Sequence, residues 1–346
     1  MTKPGAGARR VTLRDVGALA GVDPSIASRV LGGEMNRVTE GTRERIFEAA
    51  KELGWRPHAA ARSLRKGTTS MLAVIVPSLY NPAYSGMMKG VQLAAAAEDH
   101  VVVFSEGTAG EGTRELERLS EYVDGIIWAS SQADGHDEAL PASVAPTILL
   151  NRQGFPGLPA VVGPDAEGAR MAARHLISLG HTRLGVLTGP TSIDTATRRL
   201  DAFLSEARLY GAQVVWQASV ELDIDAAQQA AAAMVALPRS ERPTAVFAAA
   251  LSASFGLINA ARQAGLEVPA DLSVVGLDDA EVAEIISPPL TTVRMPHVAM
   301  GMEAVRNVLR LIRGEDLPPT IEVTSPSPEL IVRGSTSNNL DRTVER

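Results

Sequence analysis

Apolar positions recur along the chain with two different periods, and the change of period divides it. From Thr12 to Leu53 the spacing is helical. Leu13, Val16 and Ala20 fall at i, i+3 and i+7 of one face, Ile26 and Val30 at i and i+4 of another. Ile46, Phe47, Ala50 and Leu53 supply a third buried face. Capping chemistry frames each run. Thr12 with Asp15 three residues on reads as a capping box, and Gly21 suits the left-handed residue beyond a helix end. Asp23 caps the next run with Pro24 in its first turn, where a missing N–H costs nothing. Thr39 caps the third and Gly54 closes it. The pattern predicts three short helices sharing one small core, the first two joined through a glycine turn.

Beyond residue 70 short apolar runs alternate with longer amphipathic ones. Strand-like runs are Met71–Pro77, Val101–Ser105, Gly125–Ala129, Thr147–Leu150, Leu184–Thr188, Ala245–Ala249 and Leu272–Gly276. Helical runs between them include Ala83–Glu98, Glu111–Tyr122, Glu167–Leu179, Ala226–Leu237 and Ser252–Ala264. This alternation predicts doubly wound parallel sheets covered by helices on both faces. Two such sheets facing each other leave a cleft at their strand ends. A short helical hinge is expected near 57–65, a linker at 67–70, and a polar, frayed tail at 335–346.

Charge changes the picture of the head. Residues 1–66 carry 13 Lys and Arg against 7 Asp and Glu, while the remainder carries 20 against 33. Two capped helices joined by a tight turn form a helix-turn-helix, whose second helix enters the major groove. A basic head on an acidic body is the footprint of a protein that meets phosphate with one end. Pro24, Ser25, Ser28 and Arg29 stand on the face of the second helix left free for DNA. At 346 residues and 45% hydrophobic the chain has material for two or three domains. No apolar run approaches the roughly 20 residues of a membrane span, and the N-terminus lacks a signal-peptide stretch. With no cysteine there is no disulfide or thiolate zinc site, which fits a cytoplasmic protein.

Catalytic and metal motifs fare poorly. Ser63-Leu-Arg-Lys66 matches a Ser-x-x-Lys pattern but falls in the hinge, and Gly5-Ala-Gly7 follows no strand. His58, His100, His136, His175, His181 and His297 show no ligand spacing on a shared helix. His175 and His181 bracket a helix end, where the dipole favours them. No catalytic residue, metal site or cofactor is expected, and the chain is read as a non-enzyme.

Thr12–Leu31, Thr42-Arg-Glu-Arg-Ile, Glu52-Leu-Gly-Trp-Arg-Pro and Ala61-Arg-Ser-Leu-Arg resemble the head of LacI/GalR-family transcriptional regulators. The resemblance continues through Val76-Pro-Ser-Leu-Tyr-Asn-Pro, Val123-Asp-Gly-Ile-Ile, His175-Leu-Ile-Ser-Leu-Gly-His and Pro243-Thr-Ala-Val-Phe-Ala. It ends with Asp271-Leu-Ser-Val-Val-Gly-Leu-Asp-Asp and Pro288-Pro-Leu-Thr-Thr-Val. It implies an N-terminal all-α helix-turn-helix domain and an α/β core like that of periplasmic binding proteins, made of two doubly wound parallel-sheet subdomains. The implied boundaries are 1–66 for head and hinge, 71–162 with 294–322 for the first subdomain, and 163–293 with 323–334 for the second. It further implies a homodimer on a pseudo-palindromic double-stranded DNA operator. Pro24, Ser25 and Arg29 would face base edges, while Thr12, Ser28 and Thr39 would hold phosphates. Leu64 would wedge into the central minor groove, flanked by Ala61 and Arg65. Two departures stand out: Asp23 and Pro24 occupy positions usually held by serine and a variable polar residue, and the turn from Gly32 to Arg37 is one residue longer than common.

The resemblance also implies a small-molecule effector in the core cleft, with Tyr84, Arg199, Ile224, Ala250 and Asp278 as its candidate contacts. Arg199 suits a hydroxyl pair or a carboxylate, and Asp278 accepts hydroxyls; a surface ion pair and a helix N-cap are the structural alternatives. Sugar-binding relatives carry Asn-Asp where this chain has Ala250-Leu251, and an aromatic where it has Ile224. The expected effector is therefore not a simple monosaccharide but something more apolar or anionic. A ligand-binding protein without DNA control, and a regulator that has lost effector response, stay open as alternatives.

Overall fold

The computed structural model describes residues 11–32, 38–55, 68–107, 112–129, 144–221 and 223–339. The chain divides into two compact units, 1–69 and 70–346. The hinge positions Ala61, Leu64 and Arg65, and most of the turn after Gly32, lie outside the described residues.

The first unit holds α1 (Leu13–Ala20), α2 (Pro24–Leu31) and α3 (Glu40–Glu52). Val16, Ala20, Ala27, Val30, Ile46, Ala49 and Ala50 form its core. The capping box is present, with the Thr12 N–H and hydroxyl each donating to Asp15 Oδ2 at 2.7 Å. Gly21 ends α1 at φ +66°, a backbone that side chains rarely adopt. Two expectations need correction. Phe47 is 47% exposed rather than buried, because Ile46, Ala49, Ala50 and Leu53 complete the i, i+3, i+4, i+7 face and Phe47 lies about 100° round from Ile46. Thr39 occupies the N-cap position without a side-chain cap bond; its hydroxyl is 2.9 Å from that of Thr42.

The second unit begins with β1 (Met71–Val76), α4 (Pro82–Ala97), β2 (Val101–Glu106), α5 (Gly112–Ser120), β3 (Gly125–Trp128), β4 (Thr147–Leu150) and β5 (Ala160–Val162). It continues with α6 (Asp165–Ser178), β6 (Arg183–Thr188), α7 (Asp194–Leu209), β7 (Gln213–Ser219), α8 (Ile224–Val235), β8 (Ala245–Ala248) and α9 (Leu251–Gln263). β9 (Ser273–Leu277), α10 (Val282–Ile285), β10 (Thr291–Arg294), α11 (His297–Ile312), β11 (Thr320–Glu322) and β12 (Glu329–Ile331) complete it. Two six-stranded sheets result, in the orders β11-β5-β4-β3-β1-β2 and β12-β10-β9-β8-β6-β7. All pairings are parallel except β10 with β12.

Both faces of each sheet are covered, which is why the central strands are apolar throughout. In the first sheet Val74, Ile127 and Ile148 pack with Met87 and Val91 of α4 and Ala304 and Val308 of α11. The opposite face meets Leu116 and Leu119 of α5. α4 and α11 cross at glycines: a Cβ on Gly90 would lie 2.0 Å from the Val298 carbonyl oxygen, and one on Gly301 2.0 Å from that of Met87. In the second sheet Leu184, Phe247 and Leu277 pack with α6 and α7, and Phe203 stacks on Phe247 with centroids 4.9 Å apart.

The tail departs from expectation over residues 335–339. Ser335 is fully buried, donating to the Val274 carbonyl at 2.6 Å and accepting from the Thr291 N–H at 2.8 Å. Thr336 is 3.0 Å from His175 Nε2, and the Asn339 N–H donates to Leu179 O. The polar residues read as frayed are hydrogen-bond partners for β9, β10 and the end of α6. Burial lowers the His175 pKa.

Candidate functional site

Two polar surfaces answer to the residues singled out above. The first is the start of α2. Asp23 accepts the Ser25 N–H at 2.8 Å, and its bonds to the Ser25 side chain and amide hold its carboxyl below the usual range. Pro24 at the first helical position leaves no amide there. Ser25 is exposed, Ser28 and Arg29 are half-buried, and Arg29 Nε donates to the Ser25 carbonyl at 3.4 Å. Ala27 and Val30 turn into the core, so Ser25, Ser28 and Arg29 share the outward side. Thr12 and Thr39 are both exposed, at the two other helix N-termini. Arg45 Nη2 donates to the Thr42 hydroxyl beside Thr39 at 3.4 Å, which adds Thr42 and Arg45 to that polar group.

The second surface is a cleft of about 880 Å³ in the core unit. Its walls are the segments that follow the C-terminal ends of β1, β4, β6, β7, β8 and β9, the usual ligand position in open α/β folds. Tyr84, Arg199, Ile224, Ala250 and Asp278 all line it, so segments spread over nearly 200 residues of chain are brought together as expected.

Each of the five is held differently. Tyr84 is buried on α4, below the Asn81 cap, and its hydroxyl donates to the Ala129 carbonyl at 3.3 Å. Burial pushes the Tyr84 phenol up to about 12 against the pull of Arg199 and Asn151. Ile224 opens α8 and is 46% exposed. Ala250 is buried in the cleft wall, while its neighbour Leu251 is buried with Leu257 and Val274 in the core. Of the two substituted positions only Ala250 lines the cleft.

Arg199 is only 4% exposed, which rules out a surface ion pair. Its Nε donates to Asp165 Oδ1 at 2.7 Å and its Nη1 to the Ala249 carbonyl at 2.8 Å. Asp165, itself 2% exposed, takes Arg198 Nη2 on its other oxygen at 2.6 Å. Burial works against the charge on Arg199, but the Asp165 and Asp278 carboxylates and the Asp165 hydrogen bond outweigh it and hold the pKa above its ordinary value. The guanidinium expected to clamp a ligand is bonded to the protein through two of its three nitrogens.

Asp278 is 1% exposed, in a left-handed backbone at φ +73°. It caps no helix; α10 begins after Glu281. His297 Nε2 lies 3.1 Å from Oδ1, yet that oxygen accepts no aligned hydrogen bond. Burial would raise the Asp278 pKa; the His297 and Arg199 charges reverse this and keep it below the usual carboxylate range. The His297 contact, and the Gln153 N–H donating to Asp194 Oδ2 at 3.1 Å, link the two halves beside the cleft.

Sequence reasoning missed several lining residues: Asn151, Thr195, Glu221, Asp225 and Phe255. Asp165 behind Arg199 was also missed; an acid in the first turn of α6 reads as dipole stabilisation and gives no sign of the arginines it anchors. Among the described residues no cluster of His, Cys, Asp or Glu is arranged to hold a metal. No helix among them is long and apolar enough to cross a membrane.

Comparison with known proteins covers both units of the chain. Residues 12–58 match the family of bacterial regulatory proteins, lacI family, and residues 173–336 match the periplasmic binding protein-like domain. The HTH-type transcriptional regulator MalR of Streptomyces coelicolor is 34% identical over 343 residues, 94% of this chain and 96% of that one. The crystal structure of the lac repressor dimer bound to operator and the anti-inducer ONPF is similar with a TM-score of 0.82 at 26% identity, covering 95% of this chain and all of that one. The complex of the regulator CelR with cellobiose gives 0.69 at 29% identity over 94% of this chain and all of that one. The chain thus belongs to the LacI family of bacterial DNA-binding transcriptional regulators.

Proposed function

We propose that this regulator is a homodimeric repressor whose affinity for a pseudo-palindromic operator is set by a small molecule in the core cleft. The supporting observation is that one chain joins a capped recognition helix to a cleft of about 880 Å³ framed by strand ends. Ser25 and Arg29 read base edges, Arg29 being suited to a bidentate contact with guanine, while Pro24 contributes shape without a donor. Thr12, Ser28 and Thr39 hold phosphates and set register. Ala61, Leu64 and Arg65 act in the minor groove of the operator centre.

The core works as two subdomains, 71–162 with 294–322 and 163–293 with 323–334. The ligand favours one closure of the cleft over the other, and only that difference in affinity couples it to DNA. The protein acts in the cytoplasm and catalyses no reaction. Its effector is not a free monosaccharide, because Ala250 offers no partner to a buried hydroxyl, and each unpaired group costs about 1–3 kcal/mol.

The test is a thermal-melting screen of the full chain against sugars, sugar phosphates, purines and small organic acids, followed by operator binding with each hit. A ligand at 100 times its Kd adds about 2.7 kcal/mol to the folded state. A hit that also shifts operator affinity supports the proposal. A hit that leaves operator affinity untouched contradicts the coupling, and a simple sugar held by hydrogen bonds in the cleft contradicts the reading of Ala250.

A further inference from the structure

We infer that the molecule recognised by the cleft is a small organic cation, bearing an amine, guanidine or quaternary ammonium group; this rests on the cleft being the effector site. Four carboxylates, Glu221, Asp223, Asp225 and Asp278, line the cleft with one guanidinium, Arg199. Two of the three nitrogens of that guanidinium are already bonded to Asp165 and the Ala249 carbonyl. The arginines behind the wall do not restore the balance. Arg198 is ion-paired with both Asp165 and Asp194. Arg152 lies over the Trp128 ring, 5.2 Å from its centroid, with Asp194 among the opposite charges acting on it. With Asp165 and Asp194 included, six carboxylates stand against three guanidiniums and the His297 imidazole, whose Nε2 is 3.1 Å from Asp278 Oδ1.

The surplus has a place. Glu221, Asp223 and Asp225 are exposed side chains before and within the first turn of α8. Local structure accounts for two of them: Asp223 caps α8 through the Ala226 N–H at 2.8 Å, and Asp225 lies in its first turn, where the helix dipole favours an acid. Glu221 precedes the helix and has neither role. Asp278 is at the inner end, in a strained backbone; its buried Oδ1 has His297 Nε2 at 3.1 Å as an ion-pair partner but no aligned hydrogen bond. A buried acceptor of that kind calls for an explanation, and an N–H from a bound ligand supplies one.

The apolar walls agree with a cation. Tyr80, Tyr84 and Phe255 line the same space, and aromatic faces attract ammonium and guanidinium groups. Ile193, Ile224 and Ala250 leave the body of the ligand an apolar bed. An anion would have to pass three carboxylates to reach a guanidinium that the protein has already engaged.

The test uses matched probes on the full chain: glucosamine with glucose and glucose 6-phosphate, and choline with its neutral isostere 3,3-dimethylbutan-1-ol. The cation of at least one set is expected to raise the melting midpoint most, with the shift shrinking as salt rises. In the E221Q/D225N variant its affinity should fall by about fivefold for each carboxylate removed; the unliganded midpoints of the two proteins are the folding control. A larger shift from a neutral or anionic probe, or a cation shift that survives E221Q/D225N unchanged, overturns the charge assignment and leaves the effector reading standing. Silence from every probe overturns the cation assignment, and the wider screen then decides separately whether the cleft binds an effector.

Discussion

In the head, four of the polar groups proposed to bear on DNA are held by a neighbour within a few residues: Thr12 by Asp15, Ser25 by Asp23, Arg29 by Ser25, Thr39 by Thr42. In the cleft the corresponding bonds span the chain. Asp165 meets Arg199, the Ala249 carbonyl meets the same arginine, and Gln153 reaches Asp194. The first surface is assembled by capped short helices, the second by segments that two packed sheets bring together. A surface meant to read one fixed groove can be built locally. A surface meant to close on a ligand draws on parts able to move relative to one another, so its contacts must join distant segments.

That contrast can be broken in five places. The largest effect is expected from Asp165→Ala, which strips the anchor from a buried guanidinium and should cost about 3–5 kcal/mol in urea unfolding of the core. Arg29→Ala should weaken operator binding by about 1–3 kcal/mol and relax preference at one base pair, without moving the core melt. Thr12→Ala should destabilise the head by about 1 kcal/mol, seen as faster hydrogen exchange in α1. Thr39→Ala, lacking a cap bond, should cost the head clearly less; an equal loss would mean that position alone, and not the hydrogen bond, makes the cap.

The fifth is a pH effect. The Asp278 carboxyl is held below its ordinary 3.8 in the folded chain, so it binds protons more readily when unfolded. Its contribution is fully present above the unfolded value and is lost as the pH falls through the folded one. Asp278→Asn should flatten that part of the acid limb of the stability curve, and an unchanged limb would show that other carboxylates carry it.

The same contrast explains what could be read in advance. The helix pair was legible because its caps are local: Asp23-Pro24 and Gly21 announce a start and a stop. The apolar strands of the sheet centres were legible from composition, whereas β7 was missed, since its alternation of exposed and half-covered residues carries a weak signal at a sheet edge. The five cleft residues came from resemblance, as no local period marks a position that matters only after two sheets meet. Asp165 shows the limit, being indistinguishable in sequence from an ordinary acid at a helix start. Ser335 and Thr336 show it again, because a hydroxyl bound to a strand looks the same in sequence as one bound to water.

The most direct test is selection of duplex DNA by the full chain from a randomised pool, with binding of the selected sites measured across a salt series. The account predicts enrichment of a pseudo-palindrome with half-sites set by a two-fold protein, affinity falling steeply with salt, and loss of preference at one position per half-site in Arg29→Ala. Binding without sequence preference, or a preference unchanged in Arg29→Ala, would contradict it.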